Sequence, residues 1–450
     1  MKVLLVQAHT GRKEPEIIFP LELAYLAGAL TTTPYHHTVR IIDLNIESDP
    51  YGSLSDIIQS FLPDVIGISQ PNLDTADLRD PYIYLQTLQP TLQLIRRLIP
   101  ETIIIAGGSG FSLFPERIID RIPEIDFGVY LEGEQSLPEL LSQLTAPQNV
   151  PGIWYRKDRK ILFSGIRLLP GFDKISRPQY ALLDMPKYCS STSVIGIESK
   201  RGCLLSCIYC VSPQLQGTML RLRPPQSVVD DIEWLVKTYQ IPGFVFVDSI
   251  FNLPKEHAIA ICQEIIDRKL SNISWSAYFD IAGIDADFIR LAKSAGCTDF
   301  YFSPDAITDS ALKALQKNYT ITDIQNTMKL CRSIPGVVAE YSFYLNAPGL
   351  TFGGYLKTLW YFIFENIRLG LRRKGSVRLA WLRILPKTEL QHLAIQQGFI
   401  TPETDLLPEN EKDLKSVYYL NPKFRILDYL ALRLIGIIYL IFGELTKKKD

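Results

Sequence analysis

An excess of either charge is missing from this sequence. Lys and Arg total 47 against 48 Asp and Glu, a net charge of -1. That balance gives no field for holding a polyanion, so nucleic acid is not an expected partner. A disulfide framework is missing too: seven cysteines, an odd number in a long chain, speak for a reducing compartment. The opening residues, MKVLLVQAHTGRKEP, lack the longer apolar region and small-residue cleavage site of a signal peptide, so a cytoplasmic location is expected. The apolar run Leu434–Phe442 (LIGIIYLIF) falls far short of the roughly 20 residues needed to span a bilayer. No internal repeat of about 20–50 residues is visible. What is present is 450 residues that are 47% apolar and 11% aromatic, which excludes a disordered chain and leaves room for two or three domains.

Two series of alternating elements follow one another. Lys2–Ala8, Thr38–Leu44, Asp64–Ser69, Thr102–Gly108 and Phe127–Glu132 read as near-continuously apolar strands with helical stretches between them. That pattern means a parallel sheet covered on both faces, with a ligand site beyond the strands' carboxyl ends. A hairpin, GIWYRKDRKILFSG, and a connector rich in Pro and Gly come next. The second series runs through Val194–Ser199, Gly243–Asp248, Ile273–Phe279, Asp299–Ser303, Val338–Leu345 and Val377–Leu385. Six strands with crossover helices are too few for a full eight-fold barrel and imply a partial one. The expected fold is therefore α/β: a doubly wound Rossmann-like parallel sheet, a partial (β/α)6 TIM-like barrel and a short helical C-terminal region. The boundaries read as 1–144, a linker over 145–189, 190–398 and 399–450.

Arg201–Cys210 reads RGCLLSCIYC, with Cys203, Cys207 and Cys210 on one loop after a strand. Three thiolates ligate three corners of a 4Fe–4S cubane and leave the fourth iron open. A structural zinc would want a fourth Cys or His, and no histidine lies between His37 and His257. The bland alternative is three incidental buried cysteines. Cys189, Cys262, Cys297 and Cys331 stand singly; Cys262 and Cys331 fall in helical patterns and read as small buried hydrophobes.

The loop resembles that of the radical S-adenosylmethionine (SAM) enzymes, whose Cys-x-x-x-Cys-x-aromatic-Cys pattern matches Cys203, Cys207, Tyr209 and Cys210. The resemblance implies that SAM chelates the open iron and is cleaved by one electron to methionine and a 5′-deoxyadenosyl radical. It implies that Tyr209 packs against the adenine. It also implies an electron from a flavodoxin- or ferredoxin-type reductant. VFVDSIF resembles the family's acidic end of the second barrel strand, with Asp248 kept and Ser249 in place of a second Asp. AGCTDFYFSPDA resembles a segment that usually ends Gly-Ile-Glu-Ser; here Ser303, Pro304, Asp305 and Ala306 stand there. The chain departs from the family at Phe279, where an Arg is frequent, and after Pro348 and Gly349, where a Glu is usual.

The first domain is similar to the cobalamin-binding domains fused to radical SAM barrels. PLELAYLAGAL followed by VRIIDLN, then GISQP, AGGSG and LEGEQSLPELL arrive in that family's order. The resemblance places cobalamin on Ser69, Gln70, Gly107, Gly108, Glu132, Gly133 and Glu134. Two glycines at a strand end let a flat ligand lie against backbone, and Ser69 offers a hydroxyl to a ligand tail. Family members that ligate cobalt from below use Asp-x-His-x-x-Gly. Here Gln7 and Arg12 replace the Asp and the Gly, so His9 reads as structural.

The implied activity is a cobalamin-dependent radical SAM methyltransferase acting on an unactivated carbon of a small-molecule or lipid-like substrate. One alternative keeps both cofactors but performs cyclisation or rearrangement. Another, of a different class, is a cobalamin-binding sensor or chaperone. Two basic runs, Arg372–Lys374 and Lys447–Lys449, read as solvated by default. The second follows Leu434–Phe442, an order that suits peripheral contact with an anionic membrane as well as a packed or dimeric tail.

Overall fold

The structure is a computed structural model that describes residues 1–12, 17–32, 34–189, 195–372, 375–420, 424, 426–428 and 430–433. Leu434–Phe442, Lys447–Lys449 and part of the 372–374 run lie outside the described residues.

The first sheet has seven strands: β1 (Lys2–Gln7), β2 (Thr38–Asp43), β3 (Val65–Ser69), β4 (Ile103–Gly107), β5 (Phe127–Val129), β6 (Ile153–Lys157) and β7 (Lys160–Phe163), in the order β2-β1-β3-β4-β5-β6-β7. The first five are parallel, and the expected hairpin, β6–β7, adds to β5 antiparallel. The sheet therefore reaches Phe163, past residue 144. Residues of β1 and β3 are buried on both faces, which is why those strands read as unbroken apolar runs. Register sets Gln7 opposite Ser69 and Ser69 opposite Gly107. The chain reverses its winding between β1 and β3, so a crevice opens there at the carboxyl ends.

The helix Leu21–Thr31 buries eight of its eleven residues, because it lies under both the sheet and the connector. At Gly28 an added Cβ would stand 2.2 Å from the Arg177 carbonyl oxygen, so only glycine lets the connector run this close.

The second sheet contains β8 (Gly196–Ile197), β11 (Gly243–Phe246), β12 (Ser274–Phe279), β13 (Cys297–Asp305), β14 (Val338–Tyr344) and β15 (Gly375–Ala380), all parallel and in the order β15-β14-β13-β12-β11-β8. This is the partial barrel the strand count implied. Between β8 and β11, β9 (Lys200–Arg201) and β10 (Arg221–Leu222) pair antiparallel and close the base of the cysteine loop. The barrel's aromatic residues Trp275, Phe246, Phe251 and Phe279 are fully buried among the helices. The C-terminal region adds a helix, Glu411–Ser416. It folds back toward the first domain, where Asp405 meets Arg121 at 2.8 Å; just after the last barrel strand, Arg383 meets Asp74 of the first domain at 2.9 Å.

Candidate cofactor sites

A cavity of about 430 Å³ opens at the β1/β3 crevice. Its floor is backbone and apolar side chain from β1, β3 and β4; Ser69, Gly107, Gly108, Glu132, Gly133 and Glu134 all line it. Its far wall belongs to the barrel, through Glu198, Arg201, Leu215, Gln216 and Val247. One cavity thus touches the sheet end of the first domain and both flanks of the cysteine loop.

The two strand-end glycines differ in kind. A Cβ on Gly107 would have its nearest neighbour, the Val129 carbonyl oxygen, 3.7 Å away, so the protein leaves that space free. Gly108 has φ +99° and a Cβ there would press within 2.7 Å of the Gln70 carbonyl oxygen. Gly108 is thus demanded by the chain's own packing. Gln70 is not among the residues lining the cavity: its side-chain amide donates to the Asn72 carbonyl at 2.5 Å, its backbone N–H donates to the Gly107 carbonyl at 2.9 Å, and its carbonyl accepts from Gly110 at 3.0 Å.

Glu22, unmarked in the sequence reading, also faces the cavity. Its carboxyl accepts a hydrogen bond from the Ser69 hydroxyl at 3.2 Å. Burial pushes it up to about 7, with Asp43 and Glu134 adding to the effect. His9 is not among the lining residues. It stands edge-on to Tyr51 with ring centroids 6.1 Å apart, and burial lowers its pKa.

Glu132 and Glu134 face the barrel as well as the cavity. Arg221 grips Glu132 through both guanidinium nitrogens, one at 2.8 Å. Arg201 reaches Glu134 at 2.7 Å, Glu132 at 3.2 Å and both Glu198 oxygens at 3.0 Å. The Arg201 guanidinium also lies over the Tyr25 ring at 4.9 Å and the Phe172 ring at 5.3 Å. These carboxylates close the domain boundary, a role invisible before the arginines were placed beside them.

Asp248 is buried and is not among the residues lining the cavity. It accepts from the Ser199 N–H at 2.8 Å and the Lys200 ammonium at 2.9 Å, and from the Ser199 hydroxyl. Lys200 donates a further bond to the Phe251 carbonyl at 2.9 Å. The pair is fully buried and fixes the strand that leads into the cysteine loop. Ser249 is turned aside, donating to the Gln216 side chain at 3.0 Å.

On the loop itself, Cys203 donates its N–H to the Gly217 carbonyl at 3.1 Å, and Cys210 donates its own to Cys207 at 3.0 Å. Gly202 (φ +97°) holds the entry, where a Cβ would strike the Met219 carbonyl oxygen at 2.2 Å. Burial pushes the Cys203 and Cys207 thiols up, and each also feels Cys210. All three are free thiols. Among the described residues no three His, Cys, Asp or Glu side chains stand close enough together to grip a bare metal ion. The donor set nevertheless suits an iron–sulfur cluster: three soft ligands on one short, backbone-braced loop, with no competing hard ligand between them.

Tyr209 and Asp305 meet: the phenol donates to the Asp305 carboxylate at 2.5 Å. Lys317, which the sequence did not single out, is ion-paired with Asp305, and its ammonium lies over the Tyr209 ring at 5.7 Å. Burial alone would lower that ammonium, but Asp305 holds it well above the ordinary lysine range. The Tyr209 ring packs edge-on against Tyr344 at 5.1 Å.

The B12 binding domain model matches residues 12–141 and the Radical SAM superfamily model matches residues 197–356. An uncharacterized methyltransferase, PH0819, of Pyrococcus horikoshii is 29% identical over 361 residues, covering 78% of this chain and 75% of its own. An anaerobic magnesium-protoporphyrin IX monomethyl ester cyclase of Rubrivivax gelatinosus is 26% identical, covering 76% of this chain and 62% of its own. In fold, the chain is similar to the radical S-adenosylmethionine methyltransferase TsrM from Kitasatospora setae, solved with cobalamin and a [4Fe-4S] cluster. The TM-score is 0.74 at 23% identity, covering 88% of this chain and 75% of that one. With a B12-binding domain closed by buried ion pairs onto a radical SAM barrel, the chain belongs to the cobalamin-dependent radical SAM enzymes.

Proposed function

We propose that this enzyme transfers a SAM-derived methyl group to an unactivated carbon of a small-molecule substrate. The observation that carries the reading is the shared cavity. Its floor is the strand-end backbone of the B12-binding domain, and its opposite wall flanks the cysteine loop. When bound, the cluster with SAM supplies a substrate radical, and the corrinoid supplies the methyl group.

The residues divide that labour. Cys203, Cys207 and Cys210 would hold the cluster and leave one iron for SAM. Ser69, Gly107 and Gly133 would seat the corrinoid against backbone. Arg201 and Arg221 hold Glu132 and Glu134 and so keep the two sites facing each other, which suits a transfer that spans only a short gap. Asp248 acts on the loop through Lys200 as a positioning residue, and Tyr209, Asp305 and Lys317 form the buried wall behind Cys207. The electron comes from a flavodoxin- or ferredoxin-type reductant. Methyltransferase relatives support the reading: besides PH0819, a tryptophan 2-C-methyltransferase of Streptomyces laurentii is 22% identical over 400 residues.

The cyclase relatives favour a second reading in which the same two sites drive ring closure. Protein purified without oxygen, supplied with SAM, reductant and candidate substrates, separates the two by product mass. A gain of one methylene supports methyl transfer; a product two hydrogens lighter supports cyclisation. Reductive SAM cleavage that survives in Cys207→Ala would overturn both, since that variant is expected to form no deoxyadenosine while still retaining corrinoid.

A further inference from the structure

The described residues leave the inner face of the partial barrel part-exposed. Along β14 burial alternates residue by residue, and the neighbouring strands follow in register. On the outer face Trp275, Phe279, Phe302, Tyr341, Phe343 and Leu379 are buried. There Phe279 meets Phe288 of the helix Ala286–Ser294, and Phe343 meets Tyr361 of the helix Phe352–Arg372. The residues between them point the other way. Tyr278 is 49% exposed, and the Arg378 and Glu340 side chains are 61% and 23% exposed. A small closed barrel is ordinarily packed with its own side chains. Six strands do not close: β8 and β15 are the two edges of the sheet, and a concave lumen opens between them.

Register sorts the inner face into rows. Tyr278, Tyr301 and Glu340 stand opposite one another across β12, β13 and β14. Arg378 stands opposite Ser342, one row nearer the strands' carboxyl ends. Tyr344 lies on the same face two residues beyond Ser342, roughly 7 Å further along the strand, and packs on Tyr209 of the cysteine loop. Across the lumen Val247, just after β11 and 46% exposed, also lines the cavity of the B12-binding domain. The lumen thus reaches the cysteine loop and that cavity at one end and carries charge lower down.

That charge suits an anion. Arg378 reaches Glu340 through one terminal nitrogen at 2.8 Å, the one ion pair described for either side chain. A half-exposed pair of this kind is weak. The guanidinium keeps donors on its other nitrogens for a second planar acceptor, a carboxylate or a phosphate. Nearby, the Tyr278 and Tyr301 rings lie 5.4 Å apart and tilted by 43°, a flat apolar flank with hydroxyl edges. The inference rests on the proposed methyl transfer, which needs the substrate held by a group remote from the reacting carbon. We propose that Arg378 binds the carboxylate or phosphate of a flat, largely apolar substrate in the lumen, with the Tyr278–Tyr301 pair flanking its body.

Equilibrium dialysis tests this with the full chain, loaded with cluster and cobalamin in the absence of oxygen. The probes are naphthoate, naphthyl phosphate and, as the uncharged control, naphthamide. At least one anion is expected to bind more tightly than the amide. Arg378→Gln should weaken that anion at least about ten-fold and leave the amide unmoved. The anion that binds tells carboxylate from phosphate. Glu340→Gln frees the guanidinium and should tighten the same anion. Both side chains reach solvent, and an unchanged melting temperature and corrinoid content confirm that the variants fold. Four results would overturn the proposal: no binding of any probe, equal affinity for amide and anions, anion binding that survives Arg378→Gln, or an equal loss in both variants. Binding needs no turnover. Absent SAM cleavage would therefore remove the proposed chemistry and leave this site standing, and a failed dialysis would do the reverse.

Discussion

The Arg201 guanidinium lies 2.7 Å from the Glu134 carboxylate, and this ion pair joins the B12-binding domain to the strand that leads, two residues on, into Cys203. Arg201 serves Glu134, Glu132 and Glu198 together, with all four side chains buried or nearly so. Arg201→Met leaves Glu134 and Glu198 without their cation, while Arg221 still holds Glu132. Removing one partner of a buried ion pair costs about 3–5 kcal/mol. The variant should melt well below the wild type and lose corrinoid on gel filtration. Arg201→Lys, which keeps the charge but not the fork, should fall between. A Met variant with wild-type melting and corrinoid retention would remove the clamp from the account.

Asp248 and Lys200 make a second buried pair, and its prediction separates bracing from ligand contact. Asp248→Asn removes the counter-charge and leaves the buried ammonium with neutral acceptors alone: the Phe251 carbonyl, the Ser199 hydroxyl and the new amide oxygen. A stability loss of about 3 kcal/mol or more is expected, together with lower iron content after anaerobic reconstitution, because β9 and the cysteine loop lose their anchor. If instead Asp248 contacted SAM directly, the variant would keep its melting temperature and iron and lose only SAM affinity. Thermal unfolding beside iron analysis distinguishes the two.

What was legible in the sequence follows from the range of each interaction. The strands of both sheets could be read because burial on both faces writes an unbroken apolar run into a few adjacent residues, as in KVLLVQ and VIGIS. The cysteine loop was equally plain, since its chemistry is confined to eight neighbouring positions. Partners brought together by folding were not. Glu132 reads as a residue opening a helix on a cofactor site, and its actual partner Arg221 is 89 positions downstream. Lys317 carries no signal in the sequence. Only the approach of β13 to the loop, which joins Tyr209 to Asp305 across 96 positions, makes it a buried counter-ion. Gly107 and Gly108 looked alike as neighbours in AGGSG and differ only in what their missing Cβ atoms would touch.

Glu22 gives a pH prediction. Burial raises its carboxyl from near 4.5 to about 7, so the folded protein holds that proton more tightly than the unfolded chain. The stabilisation from neutral Glu22 is complete below pH 4.5 and is lost as pH rises toward 7. The full difference is no more than about 3 kcal/mol, and solvent reaching the cavity trims it. Asp428, pushed up to about 6, titrates in the same direction, so the comparison must be with Glu22→Gln rather than with the wild type alone. Urea unfolding at pH 5 and pH 8 is expected to show the wild type losing more stability than the variant. Equal losses would show that Glu22 titrates as an ordinary carboxylate.

The glycines at the end of β4 yield a contrast that tests the cavity itself. At Gly108 a Cβ meets the Gln70 backbone within 2.7 Å, at φ +99°, so Gly108→Ala must either shift that backbone or break the turn. Strain of this kind costs on the order of 1–3 kcal/mol, and a lower melting temperature is expected with or without corrinoid. At Gly107 the nearest protein atom is 3.7 Å from the added methyl, so the apo protein should melt like the wild type. The methyl would nevertheless project from a strand end that lines the cavity. Gly107→Ala should therefore weaken corrinoid retention several-fold, read by absorbance after gel filtration, and Gly107→Val more so. If Gly107→Val kept its corrinoid and its stability, the ligand could not lie on this strand end, and the cavity between the two domains would need another occupant.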